Sequence, residues 1–184
     1  DRYRLVVLDR KTGQRRVLTE RFDRPVGEMT WSPDSKTLYF TAPDRGYYPI
    51  FSVGVAGGKV KTVVKKAMVR YLRVSADGGS LVYVGQANDS PPEVYRYDLT
   101  AQRRVRLTEH NTWLPKTREM GRLESFWFKG AGGERVHAFL LWPPPSTMKS
   151  GKKGPVVNLI PGGPQGGGGG SCDPRGNGQM FAAP

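Results

Sequence analysis

A ten-residue pattern that returns at a fixed distance restricts this chain more than any other feature. Trp31-Ser32-Pro33-Asp34-Ser35-Lys36-Thr37-Leu38-Tyr39-Phe40 reappears 43 positions later as Val74-Ser75-Ala76-Asp77-Gly78-Gly79-Ser80-Leu81-Val82-Tyr83. The shared form is apolar-Ser-x-Asp-x-x-x-Leu-apolar-aromatic. A second element keeps the same step: Leu8-Asp9-Arg10-Lys11-Thr12-Gly13 through Val17-Leu18-Thr19 is followed by Val53-Gly54-Val55-Ala56-Gly57-Gly58 through Val63-Val64. It returns again as Tyr97-Asp98-Leu99-Thr100 through Val105-Arg106-Leu107-Thr108. Four short segments fall in the middle unit, at Thr37–Thr41, Ile50–Val55, Val60–Val64 and Met68–Val74. They are rich in Val, Leu, Tyr and Phe and are joined by Asp-Gly, Gly-Gly or Pro-Asp, which favour tight turns. Four strands in about 40–45 residues is the pattern of a β-propeller blade. About two and a half such units are present, whereas closed propellers use about four to eight, so further blades are expected ahead of Asp1. The chain also opens without an initiator Met and inside an expected strand.

The repeat assigns structural roles to residues that resemble site residues. Asp34 and Asp77 stand at matched positions, and Ser and Asp side chains in such loops accept hydrogen bonds from nearby backbone amides. They are therefore expected to build turns rather than to catalyse. Trp31, also within the repeat, is expected in the blade core.

Charge raises a different possibility. Twenty-nine Lys and Arg against 16 Asp and Glu leave +13, which invites a nucleic-acid partner. The basic residues are instead spread along the chain, as at Arg15-Arg16, Lys65-Lys66 and Arg103-Arg104, without a block or a recognised nucleic-acid motif. No nucleic-acid partner is expected. No apolar run approaches the roughly 20 residues of a membrane helix, so no membrane partner is expected either. One cysteine, Cys172, excludes an internal disulfide framework and a cysteine-rich metal site. The compartment stays open between cytoplasmic and periplasmic or secreted.

After Thr108 the texture changes. Glu109–Pro115 is polar and loop-like, and Lys116–Arg122 is charged. Glu124–Lys129 and Glu134–Trp142 are apolar runs joined by Gly130-Ala131-Gly132-Gly133, the makings of a hairpin. Pro143-Pro144-Pro145 ends the second run, since proline cannot sit inside a central strand. A basic loop, Ser146–Gly154, leads to Pro155-Val156-Val157-Asn158-Leu159-Ile160, which is expected to form a buried strand. Pro161-Gly162-Gly163-Pro164-Gln165-Gly166 then makes a tight, glycine-rich turn whose backbone N–H groups are open to close approach. The expected division is 1–115 for propeller blades and 116–184 for the start of a second domain. The histidines, His110 and His137, have no nucleophile motif or second metal ligand at a usable spacing, so neither is expected to be catalytic and no metal is expected.

The succession of propeller repeat, Phe126–Lys129, Val136–Leu141, Pro155–Gly166 and Gln179-Met180-Phe181-Ala182-Ala183 resembles the prolyl oligopeptidase family of serine peptidases. Within it, the chain looks most like the acylaminoacyl-peptidase and dipeptidyl-peptidase-like members. The resemblance implies a mainly β chain: a partial β-propeller followed by the truncated start of an α/β-hydrolase domain. It implies hydrolysis of short peptides by acyl transfer through a Ser-His-Asp triad, with no cofactor and no metal. It also implies that a propeller caps the catalytic site. The Gly-rich loop would supply an oxyanion-facing backbone N–H from Gly162 or Gly163.

Several positions depart from the family pattern. Pro161 stands where the family carries His; Gly168, Cys172 and Gly176 where it favours Trp; and Gly178 where it favours Pro. Five consecutive glycines, Gly166–Gly170, raise the loop's backbone entropy at about 0.5–1 kcal/mol each, and Pro161 has a fixed φ and no N–H. The loop's aim at an oxyanion is therefore in question. No Gly-x-Ser-x-Gly elbow occurs in the chain, so these residues alone are expected to be inactive. A non-enzymatic β-propeller binding module is the rival reading.

Overall fold

Strand alternation dictates the core. A computed structural model of the chain describes residues 3–148, 154–160, 169–172 and 178–182, except for the Pro115 side chain. Met29–Trp31 (β3), Thr37–Thr41 (β4), Ile50–Gly54 (β5) and Lys61–Val64 (β6) form a four-stranded antiparallel sheet in that order; Val6–Leu8 (β1) and Arg15–Val17 (β2) precede it as a hairpin. Successive side chains on a strand point to opposite faces. Leu38, Phe40, Phe51 and Val53 accordingly pack with Leu5, Leu18 and Ala42 on one side of this sheet. Tyr39 and Ile50 turn to the other, where Val64, Val69, Leu72, Leu81 and Tyr83 are gathered. Phe22 closes the first cluster, edge-on to Phe40 at 5.5 Å and to Phe51 at 5.0 Å, an arrangement that places ring edges against ring faces.

The next sheet repeats the plan with Met68–Val74 (β7), Ser80–Ala87 (β8), Ser90–Asp98 (β9) and Arg103–Arg106 (β10), in the order β10-β9-β8-β7. Leu38–Phe40 and Leu81–Tyr83 thus occupy the same strand, second in chain order, of two four-stranded sheets. The four expected strands of the middle unit are all present, but Met68–Val74 opens the following sheet, and Met29–Trp31 supplies the fourth strand of the earlier one. The link before β7 carries Lys66 with φ +46°, and β7 pairs with β8. Gly85 is required in β8, because a Cβ there would stand 2.9 Å from the Tyr95 ring.

Trp31 corrects the expectation of a core residue: it is 46 % exposed. It pairs with Leu38 and Met29 with Phe40, so both share the face of the first cluster. The cluster on that face includes neither residue. Val74, the repeat mate of Trp31, packs against the second cluster, which draws on two four-stranded sheets.

The chain divides into two compact units, one of Asp1–Gly85 with Glu93–Thr108, the other of Gln86–Pro92 with Glu109–Pro184. In the second, Trp113–Thr117 (α1) forms a short helix where a loop was expected, and Thr117 Oγ1 donates to Trp113 O at 2.9 Å. Pro115 lies early in that helix, where its missing N–H has no intrahelical acceptor to lose. Leu123–Lys129 (β11) and Arg135–Leu141 (β12) make the expected hairpin, in register from Leu123↔Leu141 to Lys129↔Arg135. Gly132 (φ +67°) and Gly133 (φ +81°) turn it, with left-handed backbone that glycine adopts without steric cost.

Pro155–Ile160 does not form the expected buried strand. Residues 154–160 have no strand assignment, and Val156 and Ile160 are 85 % and 81 % exposed. An apolar run becomes a strand only when neighbours take up its backbone N–H and C=O groups, and none of the described strands pairs with it. No helix among the described residues is long and apolar enough to cross a membrane.

Candidate functional site

The residues expected to face an oxyanion, Gly162 and Gly163, lie outside the described residues, as do Pro161, Gly166–Gly168 and Gly176. The described part of the second unit is the framework in chain around them. Gln179, the first residue of the short helix Gln179–Ala182 (α2), is buried and works as a polar clasp. Its Oε1 accepts the Gly121 N–H at 2.7 Å, and its Nε2 donates to Gly121 O at 2.9 Å and to Asn88 Oδ1 at 2.7 Å. Both ends of the amide are thereby engaged, as burial of such a group requires. Gly121 is essential to this clasp: a Cβ there would overlap the Trp142 carbonyl oxygen. Gly169 has a similar constraint, since a Cβ would overlap the Phe139 ring.

The hairpin carries a run of aromatic contacts. Trp127 and His137 are directly opposite in register, their rings stacked at 4.6 Å, and Phe139 continues the row at 4.7 Å from His137. Arg135 lies over the Trp127 ring at 4.8 Å, a cation–π contact. These stacks hold His137 as a member of the sheet face. Among the described residues, no hydrogen bond joins His137 or His110 to a hydroxyl, thiol or carboxylate, and no group of three or more His, Cys, Asp or Glu is gathered as a metal would need. Trp142 Nε1 and Arg122 both donate to Glu124 Oε2, at 2.9 Å and 3.1 Å.

The repeated aspartates have the geometry expected of turn builders. Ser32 Oγ donates to Asp34 Oδ1 at 2.6 Å and accepts the Thr37 N–H at 2.9 Å, while the Lys36 N–H donates to Asp34 at 3.0 Å. In the next repeat, Ser75 donates to Asp77 at 2.5 Å and accepts the Ser80 N–H at 2.9 Å, and the Gly79 N–H donates to Asp77 at 3.0 Å. The serine hydroxyl, then the backbone N–H, hold both carboxyls below the usual 3.8. The hairpin turns match in the same way: Asp9 accepts the Lys11 and Thr12 N–H groups, and Asp98 those of Thr100 and Ala101. Thr19 and Thr108 repeat as well, accepting the Leu5 and Val94 N–H groups at 2.9 Å each. Reasoning from sequence found the Ser-Asp pairs but missed the Gln179 clasp. Its one signal was the Gln-Met-Phe-Ala run, and its partners Gly121 and Asn88 are separated from it by 58 and 91 positions.

Comparison with known proteins gives the architecture its context. No family model matches the chain. Dipeptidyl-peptidase 5 of Schizosaccharomyces pombe is 26 % identical over 185 residues, covering 99 % of this chain and 26 % of the relative. Dipeptidyl-peptidase 5 of Porphyromonas gingivalis is 25 % identical over 165 residues, covering 90 % and 24 %. The chain thus spans about a quarter of the relatives it matches. Among solved structures, the acylaminoacyl peptidase of Pyrococcus horikoshii aligns with TM-score 0.78 at 20 % identity, over 98 % of this chain and 26 % of that one. An acylaminoacyl peptidase bound to a chloromethyl ketone aligns with TM-score 0.76 at 22 % identity, over 92 % and 25 %. The relatives in sequence are thus dipeptidyl-peptidases, matched at low identity along almost the whole of this chain, and the neighbours in fold are acylaminoacyl peptidases.

Proposed function

We propose that this chain is the propeller-to-hydrolase portion of a serine-type peptidase that hydrolyses short peptides by acyl transfer. Residues 1–115 would supply propeller blades and residues 116–184 the opening of the catalytic domain. The observation that carries this reading is the order of parts: two four-stranded sheets of one plan, then an aromatic hairpin, aligned with dipeptidyl-peptidases over nearly the full chain. In the mechanism, a backbone N–H from Gly162 or Gly163 would face the oxyanion that develops as a serine attacks the peptide carbonyl. A donor so placed contributes about 2.7–4 kcal/mol to the transition state. The serine, its histidine base and the orienting aspartate would come from sequence outside these 184 residues, so the chain by itself would not turn over substrate. Neither a metal nor a cofactor has a step in this chemistry.

Chromogenic dipeptide substrates test both halves of the proposal. The longer protein is expected to release chromophore and to be silenced by a serine-directed inhibitor; the 184-residue chain is expected to show no inhibitor-sensitive turnover. Inhibitor-sensitive hydrolysis by the repurified 184 residues would contradict the assignment of roles. Absence of any peptidase activity in the longer protein would overturn the enzyme reading itself.

A further inference from the structure

A groove of about 870 Å³ opens on the first unit, between the β4–β6 side of one four-stranded sheet and the β9–β10 side of the next. Four cations line it, Lys61, Lys65, Lys66 and Arg104, together with Tyr39 of the first sheet and Tyr97, the cross-strand partner of Arg104 in the second. No aspartate or glutamate is among the residues that line it. Three arginines elsewhere meet carboxylates: Arg4 meets Glu20 at 2.7 Å, Arg24 meets Asp44 at 2.9 Å and Arg122 meets Glu124 at 3.1 Å. The four in the groove have no ion pair among the described residues. Like charges gathered in one concavity raise the local potential and concentrate anions there.

Two features set this groove apart from a basic surface that is merely solvated. Arg104 is held in place, with its guanidinium over the Tyr95 ring at 5.0 Å, and Tyr95 is stacked on Tyr83 at 5.9 Å. The Tyr83 side chain is buried next to it. Burial raises its pKa, and the Arg104 charge pulls it the other way. Arg104 is thus the one of the four with a ring contact, and a planar guanidinium matches the oxygens of a phosphate. The lysines add point charges on flexible stems.

We infer that this inter-sheet groove binds a compact polyphosphate anion, held by Arg104, Lys61, Lys65 and Lys66. Inorganic tripolyphosphate and a nucleoside triphosphate share that chemistry; Tyr39 and Tyr97 would add ring stacking only for the second. An anion here bridges strands of two neighbouring sheets, so it should also stabilise the folded state by mass action.

The test is calorimetric titration of the 184-residue chain with inorganic tripolyphosphate, then with a nucleoside triphosphate, in low salt. One saturating equivalent is expected, with a rise in thermal midpoint. The triple variant Lys61→Gln, Lys65→Gln, Arg104→Gln should bind at least about tenfold more weakly. A control of equal charge loss, Arg10→Gln, Lys11→Gln, Arg15→Gln on the β1–β2 hairpin, should change affinity by less than about twofold. Equal losses in the two triple variants would reduce the binding to bulk charge and overturn the site. So would no saturable binding at about 1 mM ligand. Should the groove triple lower the thermal midpoint without ligand, the single variant Lys61→Gln, exposed on β6, answers the question against Arg15→Gln. Equal affinities for the two ligands identify a phosphate-only site. Tighter binding of the nucleotide, lost in Tyr97→Leu, identifies a nucleotide site. Peptidase activity is not read in this experiment, so its failure leaves the proposed function standing.

Discussion

Single side chains in this protein act mostly by ending or aiming strands. The Ser-Asp pairs show how: one hydroxyl both donates to the carboxylate and accepts an amide, and that closes the loop into β4 and again into β8. Because Asp34 and Asp77 have lowered folded pKa values, their contribution to stability is present above the unfolded value near 3.8. It is lost as pH falls through the folded value. Urea midpoints measured from pH 5 downward should therefore fall on acidification, and the fall should be shallower in Asp34→Asn/Asp77→Asn than in the parent. An identical acid limb in the two proteins would exclude the aspartates as its source. Gln179 is the counterpart in the second unit. Gln179→Ala leaves the Gly121 N–H and C=O without their partner, at a cost of about 1–3 kcal/mol. Faster hydrogen exchange at the Gly121 amide is the expected readout.

At the scale of the element, the two-residue period of a strand is put to unusual use. β4 and β5 have no solvent face along their centres: Leu38, Phe40, Phe51 and Val53 serve one cluster, while Tyr39 and Ile50 serve the other. Phe40→Ala should therefore cost about 3–5 kcal/mol, as truncation of a fully buried aromatic does. Trp31→Ala, on the neighbouring strand and in the same register, should cost less than about 1 kcal/mol, because its side chain is half-exposed and outside the cluster. Equilibrium denaturation of the two variants side by side distinguishes these outcomes, and equal losses would mean that Trp31 is core after all. β11 and β12 follow a different rule. Their hairpin is visible in the sequence because four residues containing three glycines separate two apolar runs, and each strand ends where glycine or proline must end it.

For the whole molecule, charge is the dominant long-range term. A formal +13, with much of it unpaired, opposes compaction through self-repulsion that salt screens over about 8–10 Å. The thermal midpoint should rise between low and physiological ionic strength, and scanning calorimetry across that range measures it. A midpoint that is flat or falls with salt would show that the ion pairs outweigh the repulsion. The two clusters, one fed by β1–β2 and the first four-stranded sheet, the other by the two four-stranded sheets, give the first unit a serial layout. Neighbour stabilises neighbour in such a layout, as in other repeat proteins.

What the sequence determined by itself was periodic and local. A 43-residue echo specified equivalent strands, Ser and Asp at fixed offsets specified the turns between them, and three glycines specified a hairpin; each depends only on residues close in the chain. What only the tertiary structure decided depended on neighbours that no local pattern names. Met68–Val74 joins the sheet that follows it, because pairing goes to β8. Trp31 is half-exposed and outside the cluster on its face, although it is in register with the buried Leu38. Val156–Ile160 pairs with none of the described strands, and a strand exists only when another backbone accepts its hydrogen bonds. Gln179 finds Gly121 and Asn88 across most of the second unit, because a buried amide must be satisfied wherever a partner lies.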